Sequence, residues 1–208
     1  MKRAIVMVLS VILALIVAAP IATAKGSSQG QDLGTLTGEW WNWAVSNPSP
    51  LEGNYQGGQK CEGEFVDGVF FLAGTTGGEA TRTCTVPANT ALLFPVVNTV
   101  CSEAWNDPTP YEECAKGLID GALADGEPYA TLDGRDLRTR RIASGPFTFT
   151  LPEDNIYGLP AGSYDAAADG LWVYLPKGLK PGEHTVQFGG DFFGGGFSLD
   201  VTYNLVVV

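Results

Sequence analysis

Residues 197–205 read Phe-Ser-Leu-Asp-Val-Thr-Tyr-Asn-Leu, and this stretch decides the fold class. Apolar and polar side chains alternate at every position, which is the period of a β-strand with one buried and one solvated face. Residues 146–151 and 184–188 alternate in the same way. Shorter apolar runs indicate strands that are buried on both faces or lie near the middle of a sheet. These runs occupy residues 69–73, 91–97 and 171–175.

Turn residues separate the predicted strands. Asp133-Gly134 and Pro181-Gly182 supply turn chemistry, and the glycines at 189, 190 and 194–196 predict a flexible link into the last strand. The number and spacing of the apolar runs predict about eight or nine strands. We therefore expect a mainly β fold, a two-sheet β-sandwich of immunoglobulin-like or jelly-roll type.

Two helices interrupt this pattern. Over residues 110–124, apolar side chains recur on one helical face, with Thr109 placed to cap the helix and Glu112 placed to complete a capping box. Nearer the N-terminus, Trp40 and Trp43 share one face of a short helix that nearby prolines end. We expect a firm helix near 110–124 and a short N-terminal helix.

The first 24 residues have the parts of a secretory signal peptide. Lys2 and Arg3 are basic, residues 4–19 are apolar, and Ala-Thr-Ala at 22–24 offers a small-x-small cleavage site. The alternative is a retained membrane anchor, because the apolar run is close to the about 20 residues that span a bilayer. Cleavage would leave no membrane span and would place the mature chain in a secreted, cell-surface or periplasmic location.

The remainder of the chain predicts one domain. Residues 25–34 are polar and glycine-rich, which is typical of a flexible tail. Residues 35–208 are long enough for a single sandwich, because such domains commonly reach about 200 residues. We therefore divide the chain into a signal peptide over 1–24, a tail over 25–34 and one β-sandwich domain over 35–208.

The chain is strongly acidic. It has 23 acidic and 12 basic residues, a formal net charge of -11. Such a surface repels phosphate backbones, which argues against nucleic acid as a partner. Acidic loops offer oxygen ligands for calcium, but none matches the EF-hand pattern. We expect no other cofactor, because the single histidine, His184, cannot build a histidine-ligated zinc site.

The four cysteines indicate structural disulfides. No Cys-x-x-Cys spacing occurs, so metal binding is the weaker interpretation. Three pairings are formally open, and we predict the two between neighbours, Cys61 with Cys84 and Cys101 with Cys114. The second bond would tie the helix near 110–124 to the end of the preceding apolar strand.

Two resemblances are visible in the sequence. The segment Leu179-Lys180-Pro181-Gly182-Glu183-His184-Thr185-Val186, followed by a terminal strand, resembles the closing hairpin of bacterial extracellular immunoglobulin-like domains. Four further segments are similar to secreted prokaryotic proteins of unassigned function. They are the Trp-rich segment 39–44 and the segments 70–74, 82–88 and 93–98. The first resemblance implies an architecture, and the second implies one compact domain without assigning an activity.

Aromatic residues are the candidates for ligand binding. Secreted β-sandwiches bind glycans by stacking sugar rings on exposed aromatic side chains, while amides and carboxylates fix the orientation. The helical and strand phases assign Trp40, Trp43 and Trp172 to the core. Trp41 and Trp105 stand beside polar residues, and Asn106 follows Trp105. We therefore predict a ligand-binding surface at Trp41, Trp105 and Asn106.

The sequence favours binding over catalysis. It contains no G-x-S-x-G elbow and no H-E-x-x-H helix, and the phase of His184 with Val186 predicts a buried histidine rather than a general base. We expect a secreted or cell-surface binding or structural domain, with a glycan or a cell-surface protein as its partner. The alternative is a jelly-roll glycan-active hydrolase, with two carboxylates about 5 to 9.5 Å apart across a cleft. Its candidate carboxylates are Glu39, Glu62, Glu64 and Asp67.

Overall fold

The computed structural model describes residues 32–46, 49, 51, 65–66 and 68–208. The predicted signal peptide over 1–24 and Cys61 lie outside the described residues. No helix within the described part of the chain is long and apolar enough to cross a membrane.

Two α-helices and ten strands make up the described chain, together with 3-10 turns at Glu103–Trp105 and Phe193–Gly195. In chain order they are α1 Leu33–Ala44, β1 Phe65–Val66, β2 Val69–Phe71, β3 Gly78–Val86, β4 Ala91–Ser102, α2 Tyr111–Ala124, β5 Tyr129–Leu132, β6 Arg135–Asp136, β7 Arg140–Leu151, β8 Gly162–Leu175, β9 Gly182–Phe192 and β10 Phe197–Val207. The expectation of a mainly β fold with two helices is confirmed.

The strands form two packed five-stranded sheets. Sheet A has the order β1-β2-β4-β8-β7, and sheet B has the order β3-β10-β9-β5-β6. Neighbouring strands are antiparallel except for the parallel pairs β2–β4 and β3–β10. The protein is thus a two-sheet β-sandwich with mixed sheets.

The main core lies between the two sheets. Along β10, Leu199, Val201, Tyr203 and Leu205 are buried and the residues between them face outward, as the alternation predicts. Phe94 of β4 packs against Phe188 of β9 with ring centroids 4.8 Å apart. These inward side chains bury most of the apolar surface that stabilises the sandwich.

A second core lies on the outer face of sheet A, where α1 covers the strands. Trp40 packs edge-on against Trp172 of β8, with ring centroids 5.3 Å apart. Every residue of β4 from 91 to 97 is therefore buried, because this strand is central in its sheet and both of its faces are covered. Trp40, Trp43 and Trp172 belong to the core, as predicted.

Helix α1 begins earlier than the apolar spacing predicts. Asp32 is the N-cap, and its Oδ1 accepts a hydrogen bond from the backbone N–H of Gly34 at 3.0 Å. The helix therefore starts at Leu33, inside the range 25–34 that we assigned to a tail. Its last turn brings Asn42 to the edge of sheet A, where Asn42 Nδ2 donates to the carbonyl of Thr148 at 3.2 Å.

Helix α2 is present as predicted, but its cap differs. Pro110, rather than Thr109, is the N-cap, and no side chain caps the helix there. The predicted disulfide between Cys101 and Cys114 is present and joins the end of β4 to the second turn of α2. The pairing of Cys61 with Cys84 stays a prediction, because Cys61 lies outside the described residues.

The glycine-rich stretch before β10 is more ordered than predicted. Gly189 and Gly190 belong to β9, and only the later glycines form the turn into β10. A Cβ at Gly189 would stand 2.0 Å from the carbonyl oxygen of Leu199. Glycine is needed here because the two strands approach too closely for a side chain, which is a packing requirement and not a signal of flexibility.

Candidate functional site

A pocket of about 180 Å³ lies where strand β2 ends beside the longer strand β4. Strand β2 pairs with β4 only as far as Leu93, and the chain then leaves the sheet through Ala73 and Gly74. The following β4 residues, 95–98, therefore line an opening instead of a neighbouring strand. Trp40 and Trp41 of α1 close one side of this opening, which we call the Trp41 pocket.

A β-bulge shapes the β4 wall of the pocket. The register between β4 and β8 shifts between Pro95 and Val97. Pro95 has no backbone N–H to donate, so it suits a position where pairing with β2 has already ended. The bulge locally changes the direction of the strand and brings Asn98 into the pocket wall.

A buried arginine of sheet B fixes the position of the segment after β2. Arg82 of β3 is only 4% exposed, and its Nη1 and Nη2 donate to the carbonyls of Ala73 and Gly74 at 2.7 and 2.9 Å. Tyr203 of β10 adds two more bonds, because its Oη accepts from the N–H of Ala73 and donates to the carbonyl of the same residue. Gly74 lines the pocket, so this network fixes one of its walls.

Two side chains in the pocket wall carry buried N–H donors without a hydrogen-bond partner. They are Nε1 of Trp41 and Nδ2 of Asn98. Nε1 of Trp172 is a further buried N–H without a partner, and it lies near Asn98, because a Cβ at Gly170 would stand 2.7 Å from both Asn98 Cβ and Trp172 Nε1. By contrast, Nε1 of Trp40 donates to the carbonyl of Leu72 at 3.0 Å. Trp41 and Asn98 line the pocket, whereas Trp172 and Thr131, which also carry unpartnered buried groups, do not.

The described wall of the pocket is uncharged. It consists of aromatic, aliphatic and hydroxyl side chains with one amide, and Tyr157 is its one titratable residue among those described. Burial raises the pKa of Tyr157 to about 12, so its phenol is neutral at physiological pH. The described wall therefore offers mainly uncharged aromatic and aliphatic surface to a ligand.

Of the three predicted ligand-binding residues, the structure places only Trp41 in the lining of the pocket. Trp41 lines the pocket but is only 7% exposed, because it packs edge-on against Trp40 with ring centroids 5.3 Å apart. Trp105 is half-buried outside the pocket lining, against Tyr157 at 5.1 Å. Asn106 is exposed and ends the 3-10 turn in the left-handed conformation. The expected exposed position of Trp41 was wrong, and the binding role of all three residues stays a prediction.

Sequence reasoning did not single out Asn98 or Tyr157 as site residues. The one signal for Asn98 was its place as the polar residue that ends the apolar run 91–97. Three of the four segments similar to secreted prokaryotic proteins contribute to the pocket, through Trp40 and Trp41, Gly74, and residues 95–98. Arg82, in the fourth segment, supports the pocket from behind.

A second pocket, away from Trp41, contains several of the described carboxylates. Glu79, Asp191 and Asp200 line a shallow pocket on the outward face of sheet B, with Tyr129 beside them. Burial and a hydrogen bond to Asp200 raise the pKa of Tyr129 to about 12. Of the hydrolase candidates, Glu39 is an exposed residue of α1, and the other three lie outside the described residues. No tryptophan lines the carboxylate pocket within the part of the chain that is described.

One group of potential metal ligands occurs among the described residues. Cys101, Asp107 and Cys114 have ligand atoms within 4.8 Å of one another. Both sulfurs are in the disulfide, so neither is available as a thiolate. Calcium binding by the acidic loops stays a prediction.

His184 is less buried than predicted. It shares the inward phase of Val186 on β9, but its side chain is 20% exposed and its Nδ1 lies 2.8 Å from Oδ2 of Asp133. The difference arises because the Asp133-Gly134 turn between β5 and β6 covers this position with a carboxylate rather than apolar side chains. His184 is a partly exposed, ion-paired histidine at the rim of the sandwich.

Comparison with known proteins adds little to this geometry. No protein-family model and no curated protein matches the chain. Among solved structures, a chain in the structure of PbICP-C in complex with falcipain-2 is similar over 67% of this chain and 98% of that chain, with 9% identity and a TM-score of 0.28. A likeness at this score carries no argument about fold or function.

Proposed function

We propose that this protein is a secreted or cell-surface binding domain whose ligand occupies the Trp41 pocket. The observation that carries the proposal is a pocket walled by the rings of Trp40, Trp41 and Tyr157. Concave, mostly apolar pockets with a few polar groups are the usual sites of small ligands. The unpartnered donors Trp41 Nε1 and Asn98 Nδ2 belong to side chains of this wall but are themselves buried.

The same pocket is poorly suited to catalysis. General acid–base catalysis at neutral pH needs a group whose pKa lies near the working pH. Tyr157, with a pKa of about 12, does not meet this need. The hydroxyl of Thr75 is already bonded to the backbone of Gly77, donating to its carbonyl at 2.9 Å and accepting from its N–H at 2.8 Å. Binding without chemistry fits the residues described.

The hydrolase alternative needs carboxylates and aromatic side chains in one cleft. The described carboxylate pocket, with Glu79, Asp191 and Asp200, contains no tryptophan, whereas the Trp41 pocket contains no described carboxylate. This separation favours the binding role. If the purified protein released reducing ends from neutral polysaccharides, the result would support the hydrolase and contradict the binding role.

The extracytoplasmic location rests on the leader and is supported by the Cys101–Cys114 disulfide, a bond typical of oxidising compartments. Expression of the full chain in a bacterial host, followed by N-terminal sequencing of the exported protein, tests this part of the proposal. We expect the mature chain to begin at Lys25. A protein retained with an intact N-terminus in the membrane fraction would contradict cleavage.

Fluorine NMR tests the binding role directly. The five tryptophans can be labelled with 5-fluorotryptophan, and the variants Trp41→Phe and Trp105→Phe assign two of the signals. We expect at least one member of a probe set of methyl hexosides, acetate, tetramethylammonium and indole to shift the Trp41 signal. Thr76→Arg, which adds a bulky side chain at an exposed lining position, should abolish that shift while preserving the fold.

The controls separate a site effect from a loss of structure. Trp105→Phe removes an indole N–H outside the pocket lining and should leave the shift of the Trp41 signal unchanged. The circular dichroism spectrum should be the same for all variants. If no probe shifts the Trp41 signal, or if Thr76→Arg leaves the shift intact, the proposed function is wrong.

A further inference from the structure

Three exposed arginines lie along one edge of the sandwich. Strand β6 is the outermost strand of sheet B and β7 is the outermost strand of sheet A, so residues 137–139 carry the chain from the edge of one sheet to the edge of the other. Arg135, Arg138 and Arg140 lie on this passage, and all three are exposed. We call these three residues the arginine strip. None of them lines the Trp41 pocket.

Chain connectivity keeps the three positive charges close together. Two residues of fully extended chain span at most about 7 Å, and three span at most about 11 Å. The Cα atoms of Arg138 and Arg140 therefore lie within about 7 Å of each other, and those of Arg135 and Arg138 within about 11 Å. Arginine side chains are long enough to reach one ligand from such positions. Without a ligand, the neighbouring guanidinium groups repel each other.

The arginine strip is unpaired although the chain is rich in carboxylates. The sequence has 23 acidic residues, yet the ion pairs among the described residues include no member of the strip. Arg135 lies near Asp133, but that carboxylate already pairs with His184. Asp136, which lies within the same segment, forms no described ion pair either. The strip thus carries positive charge that no described side chain neutralises at close range.

The next residue, Arg141, has the structural role that the strip lacks. Its guanidinium bonds both carboxylate oxygens of the buried Asp169 and also reaches Asp120 on α2. Successive side chains of a strand point to opposite faces, so Arg140 and Arg141 point to opposite sides of β7. Arg140 is therefore turned away from these carboxylates and takes no part in attaching α2 to sheet A.

The chemistry of guanidinium groups selects anionic partners. Each guanidinium presents a planar fork of N–H donors that matches the two oxygens of a carboxylate. At physiological salt, screening limits attraction between exposed charges to about 8 Å, so the strip acts locally in spite of the net charge of -11. A long polyanion would extend past the strip and meet the acidic remainder of the surface. A partner whose negative charges are confined to a few residues avoids that repulsion.

We infer that the arginine strip binds a short acidic segment of another protein, whose carboxylates pair with the guanidinium forks. This partner is distinct from the ligand of the Trp41 pocket, and the inference goes beyond the proposed function. Because the two surfaces share no residue, either one can fail its test while the other stands.

Fluorescence anisotropy with labelled hexaglutamate tests the inference on the full chain. We expect hexaglutamate to bind, labelled hexaglutamine not to bind, and the affinity for hexaglutamate to fall as NaCl rises from about 50 mM to about 500 mM. The double variant Arg138→Gln, Arg140→Gln should weaken binding at least about tenfold, because it removes two charged donors. The matched control is Lys177→Gln, Lys180→Gln, which removes the same charge from exposed positions outside the strip and should change the affinity less than about twofold.

A charge-conserving variant tests the role of the guanidinium forks. Arg138→Lys, Arg140→Lys keeps both charges but loses the planar fork, so binding should weaken at least about threefold. An unchanged affinity would contradict recognition by the forks. Circular dichroism should be the same for all variants, because the replaced side chains are exposed. Arg135→Gln provides a further variant if a double variant fails to fold, and it too should weaken binding.

Other partners of the strip would give different results. If polygalacturonate or single-stranded DNA binds more tightly per charge than hexaglutamate, and the double glutamine variant abolishes that binding, the strip recognises a polyanion and the inference is wrong. If sedimentation velocity shows a dimer of the parent that the same variant loses, the partner is a second copy and the inference is again wrong. Absence of hexaglutamate binding at about 50 mM NaCl would also overturn it.

Discussion

Arg82 and Tyr203 donate to the same acceptor, the carbonyl oxygen of Ala73, at 2.7 and 3.0 Å. Nη1 of Arg82 also donates to Oη of Tyr203 at 2.9 Å, so the three groups form a closed network at the end of β2. This network lies between the two sheets and joins β3 and β10 of sheet B to the segment that forms a wall of the Trp41 pocket. The shape of the pocket therefore depends on side chains that do not line it.

Tyr203→Phe should destabilise the protein although it changes one atom. The variant removes an acceptor from the Ala73 N–H and a donor to its carbonyl, both buried. We expect the free energy of unfolding to fall by about 1 to 3 kcal/mol, measured by urea denaturation. Tyr164→Phe is the matched control, because the Tyr164 hydroxyl is bonded to the carbonyl of Pro160 at the surface, and its effect should stay below about 0.5 kcal/mol. Equal effects of the two variants would contradict the importance of the network.

Arg141→Ala should loosen the attachment of α2 to sheet A. The guanidinium bonds both carboxylate oxygens of Asp169, which is 4% exposed, and it also reaches Asp120 on α2. The hydrogen bonds to Asp169 raise the pKa of Arg141, so the guanidinium stays charged. Removing Arg141 leaves a buried carboxylate without its cation, and we expect a loss of about 2 to 3 kcal/mol.

Lys116→Ala is the control for that experiment. Lys116 pairs with Asp120 on the exposed surface of α2. Exposed ion pairs contribute little, so the free energy of unfolding should change by less than about 0.5 kcal/mol. Chemical denaturation of both variants at one salt concentration makes the comparison, and a loss from Lys116→Ala that matches Arg141→Ala would refute the distinction.

The pair of His184 and Asp133 should make stability depend on pH. The hydrogen bond to Asp133 raises the pKa of His184, so the contribution of His184 is complete below its unfolded pKa of about 6.5 and is lost as pH rises through its folded pKa. The bond to His184 lowers the pKa of Asp133, so the contribution of Asp133 is present above about 3.9 and is lost as pH falls through its folded pKa. The pair is therefore most stabilising between about pH 4 and 6.5.

A double-mutant cycle measures this coupling. The variants His184→Gln, Asp133→Asn and the combination of both are unfolded at pH 5.5 and at pH 8.5. We expect a favourable coupling free energy at pH 5.5 that shrinks at pH 8.5. A coupling that grows with pH would show that the pairing does not depend on protonated His184.

Loss of the Cys101–Cys114 disulfide should lower stability by a predictable amount. The bond closes a loop with a sequence separation of 13 residues, for which the chain-entropy relation gives about 3 kcal/mol. The double variant Cys101→Ala, Cys114→Ala should lose that much in urea denaturation with little change in secondary structure. Each single variant should lose a similar amount, because either one removes the bond. A double variant as stable as the parent would contradict this account.

The second pairing is tested by peptide mapping under non-reducing conditions. We expect one fragment that joins Cys61 to Cys84 and another that joins Cys101 to Cys114. Alkylation of the unreduced protein should label no cysteine. A labelled Cys61 would show that the predicted second bond is missing.

The sequence predicted the architecture well because the architecture follows from local periodicity. The alternation of residues 197–205 indicates a strand with one buried face. The continuous apolar run 91–97 indicates a strand buried on both faces. The capping of α2 was wrong because Thr109 and Glu112 match a capping box, yet the helix begins one residue later, after Pro110. Local patterns fix where an element lies better than where it ends.

The candidate site was harder to predict because it arises where distant segments meet. Trp41 was identified from its position off the apolar face of α1, but it packs against Trp40 and shares a pocket with Tyr157, which comes from a loop more than 100 residues away. The one local signal for Asn98 is its place as the polar residue that ends the apolar run 91–97. Asn98 lines the pocket because β2 ends early and leaves this part of β4 without a neighbouring strand. The point at which β2 ends cannot be inferred from the residues of β4.

The amide of Asn42 has a consequence for how molecules of this protein meet one another. Strand β7 is the outermost strand of sheet A, and Asn42 donates to the carbonyl of Thr148 and accepts from the N–H of Thr150, both at 3.2 Å. A single side chain thereby occupies two backbone groups, one acceptor and one donor, with which an incoming strand would pair. The edge of sheet A is therefore closed to strand pairing at that point, which disfavours edge-to-edge association of two copies there.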